Sequence, residues 1–322
     1  MESDLNGKLR KSVCQIYDYI RENLYLNRSD MEIKEQHFNA ALLLSVFTGI
    51  LGSKELIIGE PGLGKTTSAE YVCTLLYGMP LGTIWASEVS GHPEQTEEKI
   101  IGRPDLGKLN QGEEVVVWSH FALVPTKIVD EINRLPETKQ SMILDGVDRG
   151  NWSYLNEAIS NREYCLFATC NYEDRGTHTI ITPLMDRFDV MVESKHPGAN
   201  LAFLIGTRGV NGARLRHEQL EQEFHELLNA RMSVPLILER MEDLAKSYRK
   251  ALAEEYGIPV LSRHERGLIY KQIREIPIDL DANAFLRLVL SELSFCYRFG
   301  QKRSQEDCED GCHFTGYLCH EV

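Results

Sequence analysis

The sequence predicts an α/β fold: a three-layer core with a parallel sheet between helices, followed by a smaller helical domain. Three observations carry that prediction. Short apolar runs alternate with helical patterns up to about residue 200, the rhythm of strand–helix–strand units. A glycine-rich loop joins one of those runs, Leu56-Ile57-Ile58, to a helical pattern. From about residue 215 strand signals fade and apolar residues recur at helical spacing.

The strand candidates, in order, are Glu55–Ile58, Thr83–Glu88, Lys127–Asp130, Tyr164–Thr169 and Val190–Glu193. Ahead of them Ala40–Leu51, apolar but broken by Ser45, Thr48 and Gly49, reads as a buried helix. The segment Pro104–Ser119 holds a turn-like Asn110-Gln111-Gly112 before the β-prone Val115-Val116-Val117-Trp118, which reads as an inserted hairpin. Ile237, Met241, Leu244, Tyr248 and Leu252 mark a helix in the carboxyl-terminal part; Ala284, Leu288, Leu293 and Cys296 repeat more loosely. The stretch Lys195–Leu215, with His196-Pro197-Gly198, is the expected boundary. The organisation is therefore an α/β core with amino-terminal helices over residues 1–205, a smaller helical domain over 206–300 and a Cys/His-rich acidic tail over 301–322.

Length and charge bound the function classes. At ~150 residues per domain, 322 residues suggest about two domains. Acidic residues exceed basic ones, 48 against 35, for a net charge of −13. That balance argues against a nucleic-acid coat, which needs a positive stripe, although a local basic groove stays open. Hydrophobic residues at 43% exclude a disordered chain. There is no run of about 18 uncharged apolar residues to cross a bilayer. The start, MESDLNGKLRKS, has no apolar signal core. The expected compartment is the cytoplasm, with the eight cysteines reduced.

Gly59-Glu60-Pro61-Gly62-Leu63-Gly64-Lys65-Thr66, with Thr67 behind it, fits G-x-x-x-x-G-K-[ST]. Glycines let backbone N–H groups turn inward around phosphate oxygens, and the following helix start adds partial positive charge. Lys65 should reach the β- and γ-phosphates of a nucleotide, and the Thr66 hydroxyl should hold Mg²⁺. The strand Lys127-Ile128-Val129 ends in Asp130-Glu131. As a neighbour of the loop, it would set Asp130 beside the metal and Glu131 where it can polarise an attacking water. A strand with an ordinary charged cap reads the same way taken alone.

These blocks resemble AAA+ ATPases, and within them the MoxR branch of the helix-2-insert clade. The likeness runs through GEPGLGKTT (59–67), SHFALVPTKIVDEINRLPETKQSMILDGVDRG (119–150), LFATCN (166–171) and PLMDRFDV (183–190). It covers roughly residues 36–200; the Asp-Glu-Ile-Asn-Arg and Asp-Arg-Phe blocks are its specific part. The resemblance implies a P-loop NTPase core that hydrolyses ATP with Mg²⁺. It implies that Asn171 is the sensor-1 residue that orients water, and that Arg187 is an arginine finger acting on a neighbouring subunit's ATP. An ordinary turn Asn and a surface ion pair of Arg187 with Asp186 or Asp189 are the plainer readings. It implies that residues 104–119 are the helix-2 insertion and that 148–161 hold the hairpin before sensor 1. Relatives often show Ser-Pro-Arg at sensor 2, whereas this chain has Leu261-Ser262-Arg263-His264-Glu265-Arg266; Arg263 is the expected residue and Arg266 the alternative. It further implies a homo-oligomeric ring, a hexamer by analogy, that remodels or matures a client, with von Willebrand factor A domain proteins as partners. A DNA-acting motor or loader of the same clade is the competing function.

Cys308, Cys312, His313, Cys319 and His320 supply enough soft ligands for one Zn²⁺. Their spacing departs from the commoner paired-cysteine pattern, and a terminus with scattered thiols is the other reading.

Overall fold

The computed structural model describes residues 2–288 except 25, 27, 161–162, 173–177, 196–202, 204–206, 208–214, 260, 282 and 286. Most of the expected boundary segment and the whole Cys/His tail lie outside the described residues.

The chain begins with α1 (Glu2–Asn23), the hairpin β1 (Met31–Ile33) and β2 (Gln36–Phe38), and α2 (Ala40–Leu51). Next come β3 (Lys54–Ile58), α3 (Lys65–Tyr77), α4 (Leu81–Ser87) and β4 (Val89–Ser90). An insertion holds α5 (Glu97–Ile100), β5 (Gly102–Pro104), α6 (Leu106–Leu109), β6 (Val116–Trp118) and α7 (His120–Leu123). Then follow β7 (Thr126–Asp130), a 3₁₀ turn over Ile132–Arg134, α8 (Glu137–Arg149), the hairpin β8 (Asn151–Tyr154) and β9 (Glu157–Ser160), β10 (Cys165–Cys170), α9 (Thr182–Met185) and β11 (Val190–Glu193). The helices α10 (Glu218–Leu228), α11 (Val234–Tyr256) and α12 (Arg263–Arg274) follow.

Five strands form one parallel sheet in the order β11-β3-β10-β7-β4, flanked by helices. This is the α/β architecture that the alternating pattern predicts. Parallel strands end on the same edge, so the loops after β3, β7 and β10 gather there. Strand β10 lies between β3 and β7, so the end of β7 reaches the start of α3 across one intervening strand.

A difference from the expectation is the stretch Thr83–Glu88, which is helical as part of α4. Thr83, Ile84 and Trp85 favour a strand by local propensity. Pro80 at the helix entry and the buried Leu81, Ile84 and Ser87, one helical turn apart, override it. The sheet position goes instead to the two residues Val89–Ser90, paired with Val129 and Asp130. The insertion does pair antiparallel, β5 with β6. Its turn region is longer than a tight hairpin because α6 occupies it, capped by Asp105 accepting from Gly107 and Lys108 N–H.

Helix α3 is buried along nearly all its length: Ala69, Tyr71, Val72, Cys73, Leu75, Leu76 and Tyr77 are all inside. Each fully buried Leu or Val contributes about 1.5–3 kcal/mol, so α3 is anchored by packing rather than by an amphipathic face. Its carbonyl end is held by α11 and α12. Arg249 Nη1 of α11 donates to Tyr77 O at 3.0 Å, and Arg266 Nη1 of α12 donates to Leu76 O. The Arg266 guanidinium also lies 4.2 Å from the centre of the Tyr77 ring. Both cations sit where the helix dipole is negative.

Two ionisable groups are fully buried in the sheet. Lys127 Nζ donates to Ala122 O at 2.9 Å, to Val124 O at 2.6 Å and to Phe121 O, tying β7 to the end of α7. Burial pushes its pKa well down. Glu55 of β3 accepts from the Ser45 hydroxyl of α2 at 3.0 Å, and burial pushes its carboxyl up to about 8. The folded chain therefore holds a proton that the unfolded chain releases near pH 4.5. The unfolded state binds fewer protons across that window, so this group's contribution is full at about pH 4.5 and lost as pH rises to about 8. Glu55→Gln should remove that slope. Thermal unfolding from pH 5 to 8 should show the wild type losing stability relative to the variant; parallel curves would contradict the assignment.

Candidate active site

The glycine loop occupies the turn between β3 and α3. Gly62 (φ +80°) and Gly64 (φ +74°) adopt left-handed conformations that side chains resist. A Cβ at either position would meet nothing within 4 Å, so the constraint there is backbone conformation, and the loop faces open space. Glu60, Pro61, Gly62 and Gly64 are exposed, Leu63, Thr66 and Thr67 are partly covered, and Lys65 is buried. Gly59 N–H donates to Cys170 O at 3.1 Å, which fastens the loop's first residue to β10.

Lys65 Nζ donates to Gly59 O at 2.9 Å, Glu60 O at 2.8 Å and Asn171 Oδ1 at 3.0 Å. Burial lowers its pKa, while the nearby Asp130, Cys170 and Glu131 act to raise it. The Thr66 hydroxyl donates to Asp130 Oδ1 at 2.6 Å, and the same oxygen accepts from the Thr169 hydroxyl at 2.6 Å. Asn171 Nδ2 donates to Glu131 Oε1. Lys65, Thr66, Asp130, Glu131 and Asn171, spread over more than a hundred residues of sequence, are thus joined by direct hydrogen bonds.

Glu131 has φ +49° and ψ +50°, an uncommon conformation for a residue with a side chain. Its N–H donates to Thr169 Oγ1 at 2.9 Å, and Gly91 N–H donates to Asp130 O at 2.6 Å. A Cβ on Gly91 would lie 1.9 Å from Glu131 O. Only glycine allows the end of β4 to approach so closely.

Two expected site residues are elsewhere. Arg187, half-buried just after α9, is ion-paired with Asp148 of α8, not with Asp186 or Asp189. Arg263 pairs with Glu163 at 2.6 Å and is 56% exposed. It opens α12, whose Arg266 holds the carbonyl end of α3, whereas the glycine loop is at the other end. A helix of 13 residues is about 20 Å long. The structure therefore does not bring Arg263, or its alternative Arg266, to the loop of the same chain.

Several neighbours escaped the sequence reading. Thr169 and Gly91 look like any strand-end residues. Asn133 Nδ2 donates to Asn171 O at 3.0 Å, and Arg134 Nε lies 3.0 Å from Glu131 Oε2. A cavity of about 270 Å³ adjoins the loop, lined among others by Asp30, Asn39, Ile57, Leu63, Thr67 and Lys195. Only Asn39 had a visible signature, as a polar residue just before an apolar helix; it accepts from Leu42 N–H at 2.9 Å.

The donor set fits a nucleotide and a hard divalent cation. Exposed loop amides at a helix start suit phosphate, and a threonine hydroxyl beside a carboxylate supplies the oxygen ligands that Mg²⁺ prefers. Among the described residues no group of three or more His, Cys, Asp or Glu is arranged to hold a metal. The Cys308/Cys312/His313/Cys319/His320 set falls outside the described residues. No helix among them is long and apolar enough to cross a membrane.

A parallel sheet with this loop and with Asp-Glu at the end of β7 defines a P-loop nucleoside-triphosphatase core. Residues 55–196 match the family described as "ATPase family associated with various cellular activities (AAA)". The matched stretch holds the glycine loop, the Asp130-Glu131 strand end and Asn171, and the reaction of that class is ATP hydrolysis. No curated protein matches the chain significantly. Solved structures do, among them a candidate ATPase from Cytophaga hutchinsonii with 16% sequence identity. The alignment covers 88% of this chain and 93% of that one, with a TM-score of 0.46.

The close approach at Gly91 can be tested. Gly91→Ala must displace either β4 or Glu131, so it should destabilise the protein by about 1–3 kcal/mol and lower ATP turnover. Thermal unfolding and steady-state turnover both equal to wild type would show that the contact constrains nothing.

Proposed function

We propose that the protein is a MoxR-like AAA+ ATPase that works as a homo-oligomeric ring, a hexamer by analogy, and uses ATP hydrolysis to remodel or mature a client protein. The observation that carries the ATPase half is the continuous hydrogen-bonded set Lys65–Asn171–Glu131 beside Thr66–Asp130.

In this reading the amides of Gly59–Thr67 and the Lys65 ammonium bind the phosphates, and the neighbouring cavity receives the nucleoside. Thr66 and Asp130 would hold Mg²⁺, which when bound draws negative charge from the phosphate oxygens. Glu131 takes the proton of the attacking water, and Asn171 orients that water. A lysine whose charged form burial disfavours gains most from a phosphate partner, because the new ion pair restores what desolvation removed.

Arg187 completes the site of a neighbouring subunit. Its pairing with Asp148 keeps it outside its own chain's cluster and partly exposed. That supports a role across a subunit boundary. The client side of the reading, including a von Willebrand factor A domain partner, rests on the DEINR and DRF blocks and on the insertion that pairs β5 with β6.

Glu131→Gln should keep ATP affinity while turnover falls by roughly 10²–10⁴. Equilibrium nucleotide binding and phosphate release check this, and unimpaired turnover would remove Glu131 from its role. Arg187→Ala should lose roughly 10³-fold or more on its own. Mixed with Lys65→Ala subunits it should regain activity, because some interfaces then pair an intact loop with an intact arginine. A mixture as inactive as its components would rule out action between subunits.

A further inference from the structure

We propose that Arg134 is a positioning residue that fixes the carboxylate of Glu131 for its work as a base. The proposal rests on the reading of Glu131 given above and deepens it.

Both carboxylate oxygens are engaged. Asn171 Nδ2 donates to Oε1, and Arg134 Nε lies 3.0 Å from Oε2. The two partners come from different directions: Asn171 follows β10, whereas Arg134 closes the 3₁₀ turn that starts directly after Glu131. That turn is set by Arg134 N–H donating to Glu131 O at 2.8 Å. The guanidinium is therefore delivered to Glu131 by local backbone geometry, three residues on.

The backbone below the carboxylate is also pinned. Glu131 holds its left-handed conformation through its N–H bond to Thr169 Oγ1 and the approach of Gly91 to its carbonyl. The only freedom left is side-chain rotation, and that is what Asn171 and Arg134 remove together. Asn171 already serves Lys65 through Oδ1 at 3.0 Å, so it reports on the loop. The side-chain contact of Arg134 that bears on the reaction is the one to Glu131 Oε2. The pair Arg134–Glu131 is 37% and 30% exposed, and pairs this accessible contribute little to stability. Its consequence is orientation, where a small misplacement of a reacting group lowers rate steeply.

The test compares Arg134→Gln, Arg134→Lys, Glu131→Gln and the double variant Glu131→Gln/Arg134→Gln in the full chain at ring-forming concentration, following phosphate release. Arg134→Gln should lower kcat about tenfold with KM for ATP unchanged, and Arg134→Lys should recover about half. On the Glu131→Gln background, loss of Arg134 should cost nothing further, since a residue acting through another has no effect once that other is gone. Wild-type kcat in Arg134→Gln overturns the proposal, as does a tenfold loss that persists on the Glu131→Gln background. If Arg134→Gln does not fold, Arg134→Lys carries the same test by its kcat and by the same double-variant comparison. Failure of the underlying reading is visible separately: Glu131→Gln alone would then hydrolyse ATP at the wild-type rate.

Discussion

One oxygen organises the site. Asp130 Oδ1 accepts from two hydroxyls, Thr66 on α3 and Thr169 on β10, each at 2.6 Å. Three elements meet at that atom, and because β10 lies between β3 and β7, Thr169 bridges what would otherwise be a gap one strand wide. Charge-assisted O–H···O bonds are short and strong, so the helix start, the acidic strand end and the intervening strand move as one piece. The remaining geometry follows: Thr169 also receives Glu131 N–H, and Asn171, two residues on, meets both Lys65 and Glu131.

Glu131 concentrates what strain the site contains. A left-handed conformation at a residue with a side chain costs of order 1 kcal/mol or more, and it persists because its surroundings leave no alternative. Gly91 fits against its carbonyl, Thr169 holds its N–H, and the 3₁₀ turn begins on its own oxygen. The turn redirects the chain immediately after the sheet edge, which is how a carboxylate next in sequence to Asp130 comes to face Asn171 instead of Thr66.

Helix α3 links this edge to the helical part. Its first turn carries Lys65 and Thr66; its last carbonyls accept from Arg249 and Arg266. Two guanidiniums against a helix end that is already negative, one of them stacked on Tyr77, attach the carboxyl-terminal helices to the end remote from the phosphate loop. Helix α12 packs on α2 as well, and Arg263, on the same helix as Arg266, is turned toward Glu163.

The sequence by itself determined the glycine loop and the acidic end of β7, because each is a short pattern whose meaning is carried by residues within a few positions of one another; Asn171 is implied only by the family resemblance. It also determined the alternation that makes a parallel sheet. It misassigned Thr83–Glu88, where β-prone side chains yield to a proline start and a buried helical face, a preference that only packing expresses. It gave no hint of Gly91, Thr169 or the Asp30–Asn39 cavity, nor of the Arg249–Arg266 attachment. Those depend on which strand lies between which others and on where a helix ends in space. Local chemistry is written in neighbouring residues, whereas adjacency across strands about 40 to 135 residues apart arises only when the whole core closes, and that closure alone decided which groups could touch.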